Sequence, residues 1–155
     1  MDLEVRKKER GVDAERYGCV PFVSSPGFNP GWWDDPGLYG DGSICFEARL
    51  GGVEVARARL EETVDLSAYT TAPTLGDAVL QIEFFEVAEG RRGEGIGREL
   101  INRLVVMYPN RRLVALSQNA GADKFWGKLG WRRHEHPEEP DWHPLYVQPA
   151  QRFPG

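Results

Sequence analysis

Apolar and polar residues alternate over positions 44–50 and again over positions 53–60, which is the pattern of two half-buried β-strands. Gly51 and Gly52 lie between them and tolerate the positive φ angles of a two-residue hairpin turn. Positions 79–87 follow with the β-branched and aromatic side chains typical of a central strand. The first part of the chain therefore predicts an antiparallel hairpin and then a third strand.

Farther along the chain the apolar spacing becomes that of helices. Apolar residues recur at every fourth position from Ile96 to Tyr108 and predict a helix that ends before Pro109. The apolar run at 113–117 predicts a buried strand parallel to the strand at 79–87, because a helix connects the two.

A second helix and a last strand complete the pattern. Asn119 is placed to cap this helix, Gly130 supplies its stop, and positions 145–148 predict the last strand. This order indicates a single α/β (α+β) domain over residues 1–155, built on a mixed, mostly antiparallel sheet flanked by helices.

Residues 1–42 break every periodic pattern with repeated Pro-Gly pairs, which predicts an irregular Pro/Gly/Trp-rich N-terminal region. Its aromatic side chains, among them Phe28, Trp32, Trp33 and Tyr39, would be costly to leave in water. They either pack onto the domain, which is the favoured interpretation, or close over a ligand.

Composition narrows the class of protein. The chain has 155 residues, of which 41% are hydrophobic, enough for one ordinary core. The two cysteines, Cys19 and Cys45, show neither disulfide-scaffold density nor metal-site spacing, so we expect a reducing, cytoplasmic location. The sequence has no apolar run long enough to span a membrane and no signal-peptide pattern at its start. The net charge of -5 disfavours nucleic-acid binding and favours a cationic partner.

A glycine-rich turn connects the strand at 79–87 to the helix that begins near Ile96. Free N–H groups and the positive end of the helix dipole converge at such a turn and favour a phosphorylated ligand. The turn does not fit the dinucleotide pattern G-x-G-x-x-G, because residue 98 is arginine, and no Gly-Lys-Ser/Thr follows. Taken alone, it is best interpreted as a tight turn.

Residues 87–131 resemble the GNAT superfamily of acetyl-CoA-dependent N-acetyltransferases in two separate blocks. The first family block is Arg or Gln, two residues of any type, Gly, one residue of any type, then Gly or Ala. Arg92, Gly95 and Gly97 occupy its specified positions, and Val87 lies five residues before Arg92. The second family block is an asparagine and a small residue, then an aromatic pair, then Lys-Leu-Gly-aromatic. In this sequence the block is matched by Asn119 and Ala122, then Phe125-Trp126, then Lys128-Leu129-Gly130-Trp131.

This resemblance implies an acetyl-CoA-binding core over residues 79–131. Main-chain N–H groups of the turn would hold the coenzyme pyrophosphate, with Arg98 opening the helix. The turn residues are Arg92, Gly93, Glu94, Gly95, Ile96 and Gly97. The main chain of Val87 would pair with the pantetheine arm and polarise the thioester carbonyl. Asn119 would reach the pantetheine or cysteamine end or act only as a helix cap, and the two roles are compatible.

The implied reaction is direct attack of an amine on the acetyl carbonyl, without a covalent enzyme intermediate. An alkyl amine is mostly protonated at neutral pH, so a general base is needed. Glu83 is the first candidate, because it lies four residues before Val87 and shares its face of the strand. Glu86 points to the other face unless a bulge intervenes. A purely structural carboxylate at Glu83 remains the alternative.

The sequence departs from the family at two points. Where many members carry a tyrosine that protonates the departing thiolate, this chain has Trp126, whose indole is no acid in this range but can pack against the coenzyme arm. The region 1–42 replaces two helices that commonly shape the acceptor site. The resemblance therefore does not decide whether the acceptor is a small cationic amine or a protein amino group. The alternative is a non-catalytic acyl-CoA-binding or protein-interaction module, and a homodimer is also left open.

The C-terminal histidines raise the question of a metal. His134, His136 and His143, with Glu135, follow no recognised ligand spacing, so we expect no metal site. The acidic residues between the last predicted strands either form a rim that favours a cationic amine or belong to a solvated loop. They are Glu135, Glu138, Glu139 and Asp141.

Overall fold

The computed structural model describes residues 1–8, 20–23, 25–40, 42–62, 64–139 and 141–150. Over these residues the strands form a seven-stranded sheet of order β1-β2-β3-β4-β5-β7-β6. The strands are β1 (Glu4–Lys8), β2 (Ser43–Leu50), β3 (Val53–Glu61), β4 (Val79–Val87), β5 (Arg112–Leu116), β6 (Arg132–His134) and β7 (Leu145–Val147). The α-helices are α1 (Pro30–Trp33), α2 (Ile96–Met107) and α3 (Ala120–Lys128).

The predicted fold class is confirmed. Strands β1 and β2, β2 and β3, β5 and β7, and β6 and β7 pair antiparallel, whereas β4 and β5 pair parallel as the helix between them requires. The sheet is therefore mixed and mostly antiparallel, and helices accompany it.

The predicted hairpin is present as β2 and β3. Gly51 and Gly52 have φ angles of 57° and 80°, so both central residues of the turn take the left-handed conformation that glycine permits. The pairing steps from Ala48↔Ala56 to Arg49↔Glu54, which leaves Val55 as an additional residue in β3. This bulge bends the strand and changes which side chains share a face.

The two predicted helices are confirmed, with their ends close to the predicted positions. Helix α2 ends two residues before Pro109. Asn119 caps α3, since its side-chain oxygen accepts a hydrogen bond from the Ala122 N–H at 3.0 Å. Gly130 follows this helix with a φ of 81°.

The N-terminal region differs from the expectation of an irregular segment. It contains β1, which pairs with β2, and the short helix α1, which Asn29 caps. Strand β1 carries Val5 as its only apolar residue and most of its side chains are exposed, so it lacks the alternation that reveals a half-buried strand. The three-residue strand β6, Arg132–His134, was missed for the same reason.

The chain divides into two compact units, which we describe separately. The first comprises Met1–Glu61 and Phe84–Leu104, and the second comprises Glu62–Glu83 and Val105–Gly155. In the second unit a buried apolar cluster consists of Tyr69, Val79, Val114, Leu145 and Val147. The prediction of one domain over the whole chain stays a prediction.

In the first unit the N-terminal aromatic residues pack onto the sheet, as the favoured interpretation held. Trp33 is completely buried, and Phe28 and Tyr39 are buried beside it. The Tyr39 hydroxyl donates a hydrogen bond to the Trp33 carbonyl at 2.7 Å. Burial, reinforced by Cys45, raises the pKa of Tyr39 well above its ordinary range. Cys19 lies outside the described residues.

Two arginines of β3 lie buried beneath these aromatic residues. The Cζ atom of Arg57 is 4.1 Å from the ring centroid of Phe28, and that of Arg59 is 5.3 Å from the ring centroid of Tyr39. Both arginines donate to main-chain carbonyls of the described residues between 20 and 40, which we call the N-terminal segment. Arg57 donates to Val23 and Arg59 donates to Leu38. The N-terminal segment is therefore attached to the sheet by cation–π contacts and charge-assisted hydrogen bonds as well as by apolar packing.

No helix among the described residues combines the length and the apolar character needed to cross a bilayer.

Candidate active site

The end of β4 exposes main-chain groups on one edge. The parallel pairing with β5 runs from Val79↔Arg112 to Ile82↔Ala115, whereas β4 itself continues to Val87. On the opposite edge the Ala88 N–H donates to the Val55 carbonyl at 2.8 Å. Adjacent residues of an extended chain direct their N–H and C=O groups to opposite edges. The main-chain groups of Val87 therefore face the edge that lies beyond the parallel ladder.

A turn with free N–H groups connects β4 to α2. It starts with the 3-10 helix Glu89–Arg91, and Gly93 and Gly95 then adopt φ angles of 83° and 82°. The first bond of the α-helix joins the Glu99 N–H to the Gly95 carbonyl at 3.1 Å. Within the described part of the chain, the main-chain N–H groups of residues 92–97 donate no hydrogen bond. Six consecutive donors at a helix N-terminus form a cradle for an anion.

The Arg92 side chain folds back along this turn. Its Nε donates to the Val87 carbonyl at 3.2 Å, and its Nη2 lies 3.4 Å from Oε2 of Glu86. The second oxygen of Glu86 accepts hydrogen bonds from the Asn29 N–H at 2.8 Å and from Trp33 Nε1 at 2.9 Å. Sequence reasoning missed this role of Glu86, since its donors lie more than fifty residues earlier in the chain.

Glu83 lies in β4 and is half-buried. Phe84 stacks on Trp32 with ring centroids 5.3 Å apart, and Glu86 bonds Trp33, so both face the N-terminal segment. By the two-residue period of a strand, Glu83 and Val87 share the opposite face. The Glu83 carboxylate forms no hydrogen bond or ion pair with any residue that the structure describes. Of the two glutamates, Glu83 therefore has its lone pairs available to accept a proton, while those of Glu86 are occupied.

The remaining predicted coenzyme contacts lie in the second unit. Asn119 is exposed, and its side chain already serves as the cap of α3. Trp126 stacks on Trp131 with ring centroids 4.7 Å apart, and only 4% of Trp126 is exposed. A contact between Trp126 and the coenzyme arm thus depends on a small part of its surface and stays a prediction.

The C-terminal histidines have structural partners. His134 is buried, and its Nδ1 lies 2.9 Å from the Thr71 hydroxyl. Burial, and then the charge of Arg132, lowers the pKa of His134 below its ordinary value. His136 Nδ1 accepts the N–H groups of Glu138 and Glu139 at 3.3 and 3.0 Å. No group of three metal-ligating side chains occurs among the described residues.

The acidic residues lie between the predicted strands at 113–117 and 145–148, as expected, and within that stretch they follow the unpredicted strand β6. Glu135, Glu138, Glu139 and Asp141 are exposed, and Glu135 pairs with Arg133. Trp142 follows them in the chain with 51% of its surface exposed. These features are compatible with either interpretation, a rim for a cation or a solvated loop.

Free N–H groups at the start of a helix, next to the unpaired end of a strand, can bind an anionic ligand such as a diphosphate. The sequence model of the acetyltransferase (GNAT) family matches residues 21–131, most of the chain. The chain therefore belongs to the GNAT acetyltransferase family.

Solved structures share the fold at low sequence identity. A GNAT-family structure from Desulfovibrio desulfuricans is 16% identical with a TM-score of 0.59, covering 96% of this chain and 99% of that one. An acetyltransferase from Thermus thermophilus is 20% identical with a TM-score of 0.55, covering 70% of this chain and 65% of that one. A GNAT family acetyltransferase from Elizabethkingia anophelis, solved with acetyl-CoA bound, is 17% identical with a TM-score of 0.51, covering 69% and 76%.

These likenesses establish the fold. This chain matches only 65% of the length of the Thermus protein. No curated protein matches the sequence.

Proposed function

We propose that this protein is an N-acetyltransferase that transfers the acetyl group of acetyl-CoA directly to an amine. The observation that carries the proposal is the run of N–H groups at residues 92–97, which donate no hydrogen bond within the described chain. A diphosphate would satisfy these donors and would also benefit from the positive end of the α2 dipole. The acetyl-CoA bound in the Elizabethkingia structure supports the same cosubstrate here.

The residues of the first unit suit the coenzyme. Gly93 and Gly95 turn the main chain so that its N–H groups are accessible, and an added Cβ at Gly93 would meet no protein atom within 4 Å. Val87 offers its main-chain N–H on the free edge of β4, where it can pair with an amide-bearing arm, while its carbonyl accepts from Arg92. Bound there, the coenzyme supplies an activated acetyl thioester, and the Val87 N–H is the group placed to polarise its carbonyl. Arg98 completes the proposed contacts of this unit, and the predicted roles of Asn119 and Trp126, which lie in the second unit, stay predictions from the sequence.

Glu83 acts as the general base in this proposal. An alkyl ammonium has a pKa of ~10.4 and cannot attack until it loses a proton. The Glu83 carboxylate is half-buried, shares the face of Val87 and has no partner among the described residues. It can therefore accept the proton directly or through a water molecule.

The departing thiolate leaves without a dedicated acid. Trp126 has only an indole N–H, which does not ionise in this range, and its ring is buried against Trp131. A thiol of pKa ~8.5 is a tolerable leaving group without protonation. The same tryptophan favours the alternative function, a non-catalytic acyl-CoA-binding or protein-interaction module.

The acceptor is proposed only as a class. The exposed carboxylates of Glu138, Glu139 and Asp141 favour a cation, either a small amine or a protein amino group. A cytoplasmic location is also proposed, on the low cysteine content of the sequence.

The test is a screen for thiol release from acetyl-CoA over polyamines, aminoglycosides, amino acids and peptides. An enzyme releases free thiol with at least one of these amines and forms the acetylated product. A binding module gives only ligand-induced thermal stabilisation, with no turnover on any amine. A protein that shows neither effect contradicts the proposal.

Replacing Gly95 with alanine should weaken coenzyme A binding by about 10- to 150-fold. An added Cβ at Gly95 lies 3.8 Å from Met1 Cε, and beside the N–H groups of the turn it should cost one charge-assisted hydrogen bond of ~1.5–3 kcal/mol to the diphosphate. Isothermal titration calorimetry measures the effect. Gly52→Ala is the matched control, because Gly52 has a φ of 80° against 82° at Gly95 and an added Cβ there meets no atom within 4 Å. Equal coenzyme affinities of the two variants would show that the cradle does not hold the diphosphate.

A further inference from the structure

The side chain of Arg92 is held by groups outside the anion cradle. Its Nε donates to the Val87 carbonyl at 3.2 Å, and its Nη2 lies 3.4 Å from Glu86 Oε2. The Arg92 side chain is 58% exposed, whereas that of Glu86 is 11% exposed. The glutamate is thus the buried partner of this pair, and the arginine is the exposed one.

Glu86 is fixed by the N-terminal segment. Its Oε1 accepts the Asn29 N–H at 2.8 Å and the indole N–H of Trp33 at 2.9 Å. Trp33 is fully buried and packs edge-on against Phe22 at 5.1 Å, so the position of its indole N–H is well defined. Two rigid donors therefore occupy Oε1, and Oε2 is the oxygen that faces Arg92.

A second contact joins the same segment to the start of the turn. The Glu89 N–H donates to the Gly27 carbonyl at 3.0 Å, and a Cβ placed on Gly27 would lie 3.5 Å from that of Ala88. The N-terminal segment thus contacts both the strand end at Glu86 and the main chain three residues before Arg92. The conformation of the turn depends on this segment at two points.

We infer that Glu86 is a positioning residue that preorganises Arg92, the first residue of the anion cradle. By holding the guanidinium against the Val87 carbonyl, Glu86 restricts the arginine side chain and links the start of the turn to the end of β4. Ordering this flexible side chain before the ligand arrives removes a cost that binding would otherwise carry. The inference rests on the proposed function, since the ligand of the cradle is the coenzyme.

Glu86→Gln isolates this effect. The glutamine oxygen can still accept from Asn29 and Trp33, so the attachment of the N-terminal segment is retained. Its amide nitrogen is a donor only and cannot accept from the Arg92 guanidinium, which also only donates. We expect the Kd for coenzyme A to rise about threefold to tenfold, with kcat at saturating acetyl-CoA unchanged and KM for acetyl-CoA raised by the same factor.

Glu89→Gln is the matched control for charge. It removes one negative charge from the same turn, and the Glu89 side chain is exposed and forms no hydrogen bond or ion pair within the described residues. Removing a negative charge near an anion site by itself favours anion binding, so charge loss alone predicts an unchanged or lower Kd in both variants. A higher Kd in Glu86→Gln alone runs against that trend.

A double-mutant cycle separates positioning from a general structural effect. In an Arg92→Ala background, which removes the guanidinium that Glu86 contacts, Glu86→Gln should leave the Kd unchanged. An equal loss of affinity in both backgrounds, or an unchanged or lower Kd for Glu86→Gln alone, would overturn the inference. Wild-type protein that fails to bind coenzyme A refutes the proposed function instead, so the two failures are distinguishable.

Discussion

Replacing Glu83 with glutamine should lower kcat for acetyl transfer by about 10²–10⁴-fold at neutral pH, the usual contribution of a general base. Glutamine keeps the shape of the side chain and cannot take a proton from the attacking ammonium. The Kd for coenzyme A should stay within about twofold, because Glu83 lies outside the cradle of residues 92–97. Initial-rate kinetics with the amine that emerges from the screen, together with calorimetry, measures both quantities.

The pH dependence provides the control for this variant. As the pH approaches ~10.4, a growing fraction of the acceptor is already the free amine, so the difference in kcat between wild type and Glu83→Gln should narrow. Glu89→Gln, which changes an exposed carboxylate, should retain the wild-type rate at every pH. A Glu83→Gln variant with the full wild-type rate at pH 7 would show that Glu83 is a structural carboxylate.

The largest effect on stability is expected at the buried ion pair of Glu54 and Arg57. Arg57 is fully buried, and its Nε and Nη2 bond the Glu54 carboxylate at 3.1 and 2.7 Å. Its Nη1 has no partner among the described residues. Glu54→Gln leaves a buried guanidinium without a compensating charge, which should cost about 3 kcal/mol or more of the free energy of unfolding.

Arg57→Met is the matched comparison for Glu54→Gln. Methionine keeps an unbranched chain against Phe22 and Phe28 and removes the buried charge together with its unpaired Nη1. The carbonyl that loses its donor belongs to Val23, a residue that is 79% exposed and open to water. Arg57→Met should therefore destabilise the protein less than Glu54→Gln. Urea denaturation measures both, and the reverse order would mean that the ion pair itself stabilises the fold.

Local signals explain which elements of the fold were predictable. The hairpin followed from alternation around Gly51 and Gly52, and α3 followed from a capping asparagine and a terminal glycine. Each depends on residues within a few positions of one another. Strand β1 has no such signal, because an edge strand with mostly exposed side chains does not need apolar alternation.

The buried arginines were not predictable for a related reason. In the sequence Arg57 and Arg59 occupy the polar positions of an alternating strand, which predicts a solvent-facing surface. The aromatic residues of the N-terminal segment cover that face and bury both side chains. A contact between residues some thirty positions apart produces no periodic pattern in the sequence.

The candidate site was predictable only in its main-chain part. The glycine spacing predicted a tight turn between strand and helix, which the positive φ angles of Gly93 and Gly95 confirm, and the resemblance to the family added the prediction of a phosphate cradle. The attachment of Glu86 to Asn29 and Trp33 depends on how distant segments pack. The sequence placed Glu86 on the face opposite Glu83 but did not indicate what it would contact there.

Amide chemical shifts of the ¹⁵N-labelled protein, followed as coenzyme A is added, measure directly which N–H groups hold the diphosphate. We predict that the largest changes occur at residues 92–97, where the main-chain donors are free. Pantetheine, which lacks the diphosphate, should leave those amides nearly unchanged at the same concentration. Coenzyme A shifts that are largest in another segment, or no shifts at saturating coenzyme, would contradict an anion cradle at the start of α2.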